Sequence, residues 1–271
     1  MIGASFLFAG MGLAVKVASR ELPNASVVFF RNAVALAVLT PWAFRLGWSG
    51  LRTRFLREHL VRSLFGVASM YCFFLALARL PLAEAVLLNY SVPLFMPVVE
   101  RFWLGERLPP GLWRPLLLGF AGITLVLQPG PGLFRPAALV AVASALLASV
   151  AQVGIRRLTA TEPPERIVFY FALISTAVSA VPEALAWRTP PRALWPVLLA
   201  LGLLATAAQL LLTRAYAHAP AGRVGPFIYS SVLFAGALDW TFTGVVPHPL
   251  SLGGAALVIA AGVMALKSRE R

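Results

Sequence analysis

Long apolar runs separated by short polar segments follow one another along the whole chain. A helix that crosses a bilayer needs roughly 20 mostly apolar residues, because each residue advances about 1.5 Å through a hydrocarbon core of about 30 Å. Runs of this kind predict ten membrane spans, at about 2–18, 26–44, 60–79, 82–103, 113–128, 137–155, 167–187, 194–216, 222–244 and 249–266. We therefore expect an all-α integral membrane protein with ten transmembrane helices.

The segments between the runs are short and contain proline or glycine, as in RELPN, LPPGLW, PGPGLF and TEPPER. Such segments are typical of turns and leave no room for a separate soluble domain. The composition agrees, since 59% of the residues are hydrophobic and 12% are charged. The mean hydropathy of +0.82 is far above that of an ordinary soluble domain. The single cysteine, Cys72, excludes an intramolecular disulfide and a metal site made of several thiolates.

The net charge of +13 would suit a nucleic-acid-binding protein, but the basic residues lie at the ends of the predicted spans. Of the 23 Lys and Arg residues, 16 fall on one side of the predicted membrane and 7 on the other. Because cytoplasmic loops are enriched in Lys and Arg, this distribution predicts that both termini are cytoplasmic. We expect the lipid bilayer, and no nucleic acid, as the partner of the basic residues.

Ten spans divide into two sets of five, and an odd number of spans per set inverts the second set relative to the first. Residues 81–105 align with residues 220–244 at a constant offset of 139, with six identities in 25 positions. The identities pair Pro81 with Pro220, Tyr90-Ser91 with Tyr229-Ser230, Leu94-Phe95 with Leu233-Phe234, and Gly105 with Gly244. We predict two inverted five-helix repeats, 1–131 and 132–271, around a central cavity. Chance similarity between two apolar helices is the alternative.

The stretches VVFFRN, LPLAEAVLLNYSVPLF, LGERL and GFAGITLVLQPG occur in that order. With these motifs the chain resembles the EamA-type ten-helix carriers of the drug/metabolite transporter superfamily. VVFFRN and PLAEAV are similar, more weakly, to its S-adenosylmethionine uptake branch. The resemblance implies a carrier in the plasma (inner) membrane with a small-molecule substrate and no cofactor. The second half departs from the pattern, because TGVVP stands where the first half has LGERL.

Polar side chains inside a span are costly, about 2.5 to 3.5 kcal/mol for Arg, Lys or Asp at a helix centre. Span four contains Asn89, Tyr90 and Ser91, and span nine contains Tyr229 and Ser230, each group close to prolines. A proline frees a backbone carbonyl, which is tolerated where it faces protein or a water-filled cavity. We predict that these five residues bind substrate in the central cavity, and the alternative is helix packing.

Two further residues, Gln152 in span six and Gln209 in span eight, are amides within apolar runs. An amide offers both a donor and an acceptor and suits a zwitterionic substrate. We predict that both bind substrate, with hydrogen bonding between helices as the alternative.

Three charged residues are candidates for gating or charge pairing: Arg31, Glu84 and Arg223. Arg31 lies in span two near its predicted outer end, and Glu84 lies at a similar depth in span four. Arg223 is the counterpart of Glu84 at the offset of 139. Arg31 either reaches the membrane interface, forms an anchor inside the bundle, or contacts an anionic group of the substrate.

The sequence favours a secondary transporter that moves a small polar or amphipathic metabolite, amino-acid-like or S-adenosylmethionine-like, by alternating access. No P-loop motif is present for ATP coupling, and proton coupling stays open, with Glu100 and Asp239 as carriers or as solvated interface groups. A channel or lipid scramblase on the same scaffold is the alternative. A membrane enzyme is disfavoured because His59, His218 and His248 lie at loops or span ends without metal-like spacing. We expect no metal site.

Overall fold

The structure, a computed structural model, describes residues 1–77, 79–80, 82–105, 111–134, 136–185, 187–219, 221–243 and 248–267. Every regular element within these residues is helical, which confirms the all-α prediction. The α-helices are α1 (Ile2–Ala18), α2 (Asn24–Leu51), α3 (Leu56–Leu77), α4 (Leu82–Asn89), α5 (Val92–Val99), α6 (Trp113–Leu127), α7 (Pro136–Leu158), α8 (Pro164–Leu185), α9 (Trp195–His218), α10 (Ala221–Val224), α11 (Ser230–Thr243) and α12 (Pro249–Lys267).

Four stretches are long and apolar enough to cross a membrane: Asn24–Gly47, Pro136–Leu158, Pro164–Leu185 and Arg192–His218. Four shorter apolar helices accompany them, at Ile2–Ala18, Trp113–Leu127, Gly225–Leu238 and Pro249–Ala265. The leading stretch ends at Gly47, whose φ of +70° breaks the helical path inside α2. These helices are those of a multi-pass membrane protein.

Predicted spans four and nine are interrupted helices, a feature that the sequence analysis did not predict. Span four is divided into α4 and α5 at Tyr90 and Ser91, and ends in a π-helical turn at Glu100–Leu104. Span nine is divided into α10, a 3₁₀ segment at Gly225–Tyr229, and α11. Pro93 and Pro226 lack the N–H that an uninterrupted helix would bond, which explains both interruptions.

The helices pack in pairs that join the first half of the chain to the second. The most extensive contacts are those of α3 with α7, α6 with α12, α1 with α9, and α2 with α8. In the α6–α12 pair, a Cβ added to Gly122 would lie 2.8 Å from the Gly254 carbonyl oxygen, and one added to Gly254 would lie 2.5 Å from the Gly122 oxygen. The two backbones therefore cross at glycines, as small residues permit between membrane helices.

Candidate functional site

The two interrupted spans meet at their breaks. A Cβ added to Gly225 would lie 3.0 Å from the Cβ of Pro93, so the start of the 3₁₀ segment touches the start of α5. Beside this contact, the Tyr90 hydroxyl and the Ser231 hydroxyl are 2.6 Å apart and share a hydrogen bond. The structure thus brings the polar centre of span four against span nine.

Asn89 joins a polar cluster between α3, α4 and α7. Ser144 donates to the Asn89 side-chain oxygen at 3.2 Å and to the backbone oxygen of Ser69 at 2.9 Å. Ser69 donates in return to the backbone oxygen of Ser144, also at 2.9 Å. Ser69 and Ser144 are buried and Asn89 is half-buried, so this cluster fixes the end of α4 against α7.

Ser91 and Ser230 turn their hydroxyls onto their own helices. Ser91 donates to the backbone oxygen of Leu88, and Ser230 donates to that of Phe227, each at 2.6 Å. Both acceptors lie at the breaks, where backbone carbonyls lose their regular helical partners. In this conformation the two hydroxyls donate hydrogen bonds to backbone carbonyls at the breaks. Their predicted role in substrate binding stays a prediction.

Tyr229 is completely buried, and its hydroxyl has no hydrogen-bond partner in the described part of the chain. Its ring lies under α6, since a Cβ added to Gly119 would lie 2.5 Å from the Tyr229 Cδ2 atom. Tyr90 packs on the same apolar cluster, which contains Leu87 and Ile123. Both rings thus pack among the described helices, and their predicted role in substrate binding stays a prediction.

The two glutamines occupy different surroundings. The Tyr216 hydroxyl donates to the Gln152 side-chain oxygen, so this amide links α7 to α9. Gln209 lies within α9 and is 7% exposed. Tyr216, which is fully buried, is a partner that the sequence did not reveal.

Arg31 lies inside the bundle with 8% of its surface exposed. It donates to the Asn32 side-chain oxygen at 2.8 Å and lies 3.9 Å from the Met70 sulfur. Arg31 therefore packs among other side chains, and its predicted role in gating or charge pairing stays a prediction. The side chain of Glu84, its predicted partner, lies outside the described residues, and Arg223 is exposed on α10.

Arg62, in α3, also lies in the interior, with 3% of its surface exposed. Its Cζ atom is 3.4 Å from the centroid of the Phe171 ring. Arg62 falls inside the predicted span 60–79, yet the sequence analysis did not select it as a candidate site residue. Its position six residues after the start of α3 is the signal that places it below the helix end.

We call the junction formed by Gly50, Leu51, Thr53, Glu162, Arg166 and Tyr170 the polar end. Thr53 donates to one Glu162 carboxylate oxygen at 2.6 Å, and Arg166 donates to the other at 2.6 Å. Arg166 also donates to the Gly50 backbone oxygen at 2.6 Å, and the Tyr170 hydroxyl donates to the Leu51 oxygen at 2.9 Å. His59 stacks on Tyr170 at 4.5 Å. Hydrogen bonds therefore connect the two halves here.

We call the junction formed by Leu22, Val27, Phe30, Trp187, Leu194, Trp195 and Leu198 the apolar end. Phe30 packs on Trp195 at 5.6 Å and on Trp187 at 6.1 Å between ring centroids. Five of the apolar side chains form one buried cluster, Leu22, Val27, Phe30, Leu194 and Leu198. The polar and apolar ends lie at opposite ends of α2 and α8.

A shallow cleft on the surface is lined by Met1, Gly3, Ala4, Leu211, Arg214, Ala215 and His218. None of the residues predicted to bind substrate lines this cleft. Arg214 at its rim forms a salt bridge of 2.6 Å with Glu165. Five of the predicted residues lie at or beside the breaks of the interrupted spans, and Gln152 and Gln209 lie within α7 and α9.

Comparison with known proteins defines the class of this membrane protein. The EamA-like transporter family matches the chain twice, over residues 1–128 and over residues 135–266. The chain belongs to the EamA-like transporter family.

Several curated relatives are similar over nearly the whole chain. A pseudopaline exporter of Pseudomonas aeruginosa is 33% identical over 270 residues, covering 98% of this chain and 94% of the exporter. A riboflavin transporter of Rhizobium johnstonii is 31% identical over 250 residues, covering 92% of this chain and 83% of the relative. An S-adenosylmethionine uptake transporter of Rickettsia bellii is 25% identical over 256 residues, covering 94% and 88%.

A solved crystal structure superposes on the chain with a TM-score of 0.85 at 26% identity, covering 99% of this chain and 96% of the other. The relatives carry the names of transporters for different metabolites, and some are named exporters and others uptake transporters. The expected transporter class is thus supported, while the names of the relatives do not agree on one substrate.

Proposed function

We propose that the chain is a secondary transporter that moves a small polar or amphipathic metabolite across the inner membrane by alternating access. The observation that carries this proposal is the meeting of two interrupted helices at their breaks. Interrupted helices that cross between two halves are how secondary transporters build a substrate site near the bilayer centre. Here Pro93 touches Gly225, and Tyr90 shares a hydrogen bond with Ser231. Asn89, at the end of α4, accepts a hydrogen bond from Ser144.

Two inverted repeats form part of the proposal. In the proposed repeat, each helix of the first half has an equivalent in the second half. The α3–α7 pair is then equivalent to the α9–α1 pair, and the α2–α8 and α6–α12 pairs are each equivalent to themselves. All four pairs are in contact, as this symmetry requires. Ser5 and Ser144 are also separated by 139 residues. Ser5 donates to the Phe227 oxygen at one break, and Ser144 donates to Asn89 at the other. The two matches to the family coincide closely with the proposed repeats, 1–131 and 132–271.

The proposed orientation places both termini and the polar end in the cytoplasm, because the arginine-rich loops lie on that side. Arg52, Arg54 and Arg57 surround Thr53 in the sequence, and Arg156 and Arg157 precede Glu162. The apolar end then faces the opposite side of the membrane.

Proton coupling, where it operates, is proposed to use Glu183. This residue is 2% exposed, and both of its carboxylate oxygens lack a hydrogen-bond partner within the described residues. Buried ionisable residues in membrane helices are typical of proton pathways. Glu183→Gln is expected to abolish uptake driven by a pH gradient while leaving exchange of internal for external substrate intact. Equal loss of both activities would contradict this role.

Transport is tested by uptake of labelled compounds into proteoliposomes. The panel contains riboflavin, S-adenosylmethionine and neutral amino acids, each with and without excess unlabelled compound inside. We expect saturable uptake of at least one compound, stimulated by the internal compound and lost in Asn89→Ala. Asn24→Ala, the same substitution at an exposed position at the start of α2, is the matched control.

The same measurement separates the carrier from its alternatives. Flux that rises linearly with concentration and gains nothing from internal compound would indicate a channel. Transfer of labelled lipid between leaflets without exchange of solute would indicate a scramblase. Absence of exchange for the whole panel would remove the amino-acid-like and S-adenosylmethionine-like substrates from the proposal.

A further inference from the structure

Two arginine side chains meet on one aromatic ring inside the bundle. The Cζ atoms of Arg62 and Arg31 lie 3.4 Å and 5.8 Å from the centroid of Phe171. Because both distances end at the same point, the two guanidinium groups are at most about 9 Å apart, where like charges repel. Both arginines are more than nine-tenths buried, so water screens this repulsion poorly.

The described residues do not neutralise these two charges. The Nε and Nη1 atoms of Arg62 have no hydrogen-bond partner among those residues. Arg31 donates to Asn32, which is neutral, and contacts the sulfur of Met70. The salt bridges within the described residues involve Arg157, Arg166 and Arg214, and neither Arg31 nor Arg62. A buried cation without an anion is strongly unfavourable, so these two groups require a partner.

Two glycines make room for the Arg62 side chain. A Cβ added to Gly154 of α7 would lie 3.2 Å from the Arg62 Cβ. A Cβ added to Gly66 of α3 would lie 3.2 Å from the Phe171 Cε2 atom and 3.6 Å from the Arg62 Nη1 atom. The Arg62 side chain therefore packs on α7 at its base, and its guanidinium lies on the Phe171 ring of α8.

The Phe171 ring alone does not account for this arrangement. A cation–π contact contributes about 0.5 to 2 kcal/mol, whereas burying a charge costs several kcal/mol. One ring also faces two cations. A guanidinium offers a planar set of N–H donors that binds carboxylate or phosphate through two parallel hydrogen bonds.

We propose that Arg31 and Arg62 form a binding site for an oxyanion, the carboxylate or phosphate group of the transported metabolite. This inference rests on the proposed transport function and narrows the substrate to a metabolite that carries such a group. Phe171 belongs to the second half of the chain and both arginines belong to the first. Movement of one half relative to the other would therefore change the distances between the two arginines and Phe171.

The test measures the unfolding temperature of the full chain, purified in lipid-free detergent at constant pH and ionic strength. Sodium chloride is replaced stepwise by sodium succinate in one series and by inorganic phosphate in the other. The variants are Arg62→Gln and, as matched control, Arg57→Gln, which makes the same charge change at an exposed position of the same helix. General salt effects stabilise all three proteins alike and cancel in the comparison.

We expect a saturable rise of the unfolding temperature with at least one anion in the wild-type chain and in Arg57→Gln. In Arg62→Gln the apparent affinity should fall by about tenfold or more, since a charge-assisted bidentate pair is lost. Succinate and phosphate separate a carboxylate site from a phosphate site. In chloride alone, Arg62→Gln should be at least as stable as the wild-type chain, because a repelling buried charge is removed.

The same anion response in the wild-type chain and Arg62→Gln, or no saturable response in either series, would overturn the oxyanion site. If Arg62→Gln does not fold, Arg62→Lys keeps the charge without the planar donors and should weaken binding, and unchanged binding would again contradict the proposal. If the protein exchanges solute in proteoliposomes but shows no anion response, only the oxyanion site is contradicted. If it shows neither exchange nor an anion response, the proposed transport function is contradicted as well.

Discussion

The polar end and the apolar end close the same bundle with opposite chemistry. At the polar end, Thr53, Arg166 and Tyr170 make directional hydrogen bonds between the halves. At the apolar end, Phe30 packs on Trp187 and Trp195, which requires contact area and no particular donor geometry. Hydrogen bonds break at small separations, whereas apolar contact is lost in proportion to the exposed area.

The difference between the ends lies at equivalent positions of the proposed repeat. At the offset of 139, Arg166 of the polar end corresponds to Val27 of the apolar end, and Leu198 of the apolar end corresponds to His59. In the proposed repeat, equivalent positions therefore hold the two ends together by different chemistry. An end held by hydrogen bonds opens readily once water replaces the partners, while an apolar end resists hydration.

The largest effect is expected from Arg166→Ala at the polar end. The substitution leaves the Glu162 carboxylate, whose side chain is 3% exposed, without its cation. Breaking a buried pair from one side costs about 3 kcal/mol or more. Thermal unfolding in detergent measures this loss.

Arg214→Ala is the matched control, because its salt bridge with Glu165 has the same length of 2.6 Å but side-chain exposures of 55% and 29%. An exposed pair contributes about 0.2 to 1 kcal/mol. Equal losses in the two variants would show that burial does not distinguish the polar end.

Phe30→Ala at the apolar end is expected to destabilise the protein by about 3 kcal/mol. The ring is 6% exposed and contacts two tryptophans, so its removal leaves a cavity. Phe44→Ala, on the same helix but 82% exposed, should change the unfolding temperature little. A loss in Phe30→Ala no greater than in Phe44→Ala would contradict a packed apolar closure.

A smaller effect, about 1 kcal/mol, is expected from Tyr170→Phe, which removes the hydrogen bond to Leu51. Tyr71→Phe provides the control, since the Tyr71 hydroxyl has no partner among the described residues. We expect Tyr71→Phe to leave the free energy of unfolding unchanged or slightly higher. A greater loss in Tyr71→Phe than in Tyr170→Phe would exclude the Leu51 bond as a contributor.

Helices such as α1 and α8 were predictable from the sequence because a membrane span appears there as a long, uninterrupted apolar run. The predicted span 2–18 matches α1, and 167–187 overlaps α8 almost completely. The breaks in spans four and nine were not predicted, although their prolines were recognised. A proline does not by itself decide between a kink and an interruption, since that depends on which neighbours satisfy the freed carbonyls.

Residues of the candidate site were predictable when they interrupted an apolar run, as Arg31 and Asn89 do. Arg62 was missed because it lies close to the predicted start of span three, just after the arginines of a loop, whereas α3 begins six residues before it. Ser144 and Ser69 were missed because serine is common in membrane helices, and their mutual hydrogen bonds depend on the α3–α7 packing. Contacts between such distant segments depend on how the helices pack, and the pattern of residues along the chain does not predict them.

The proposed mechanism requires the two ends of the bundle to open in turn. Its most direct test links the polar end, using Thr53→Cys and Glu162→Cys in a Cys72→Ser background and a short reducible cross-linker. Exchange of a transported compound in proteoliposomes is measured before linking, after linking and after reduction. We predict that linking abolishes exchange and that reduction restores it. Exchange that continues with the polar end linked would contradict alternating access.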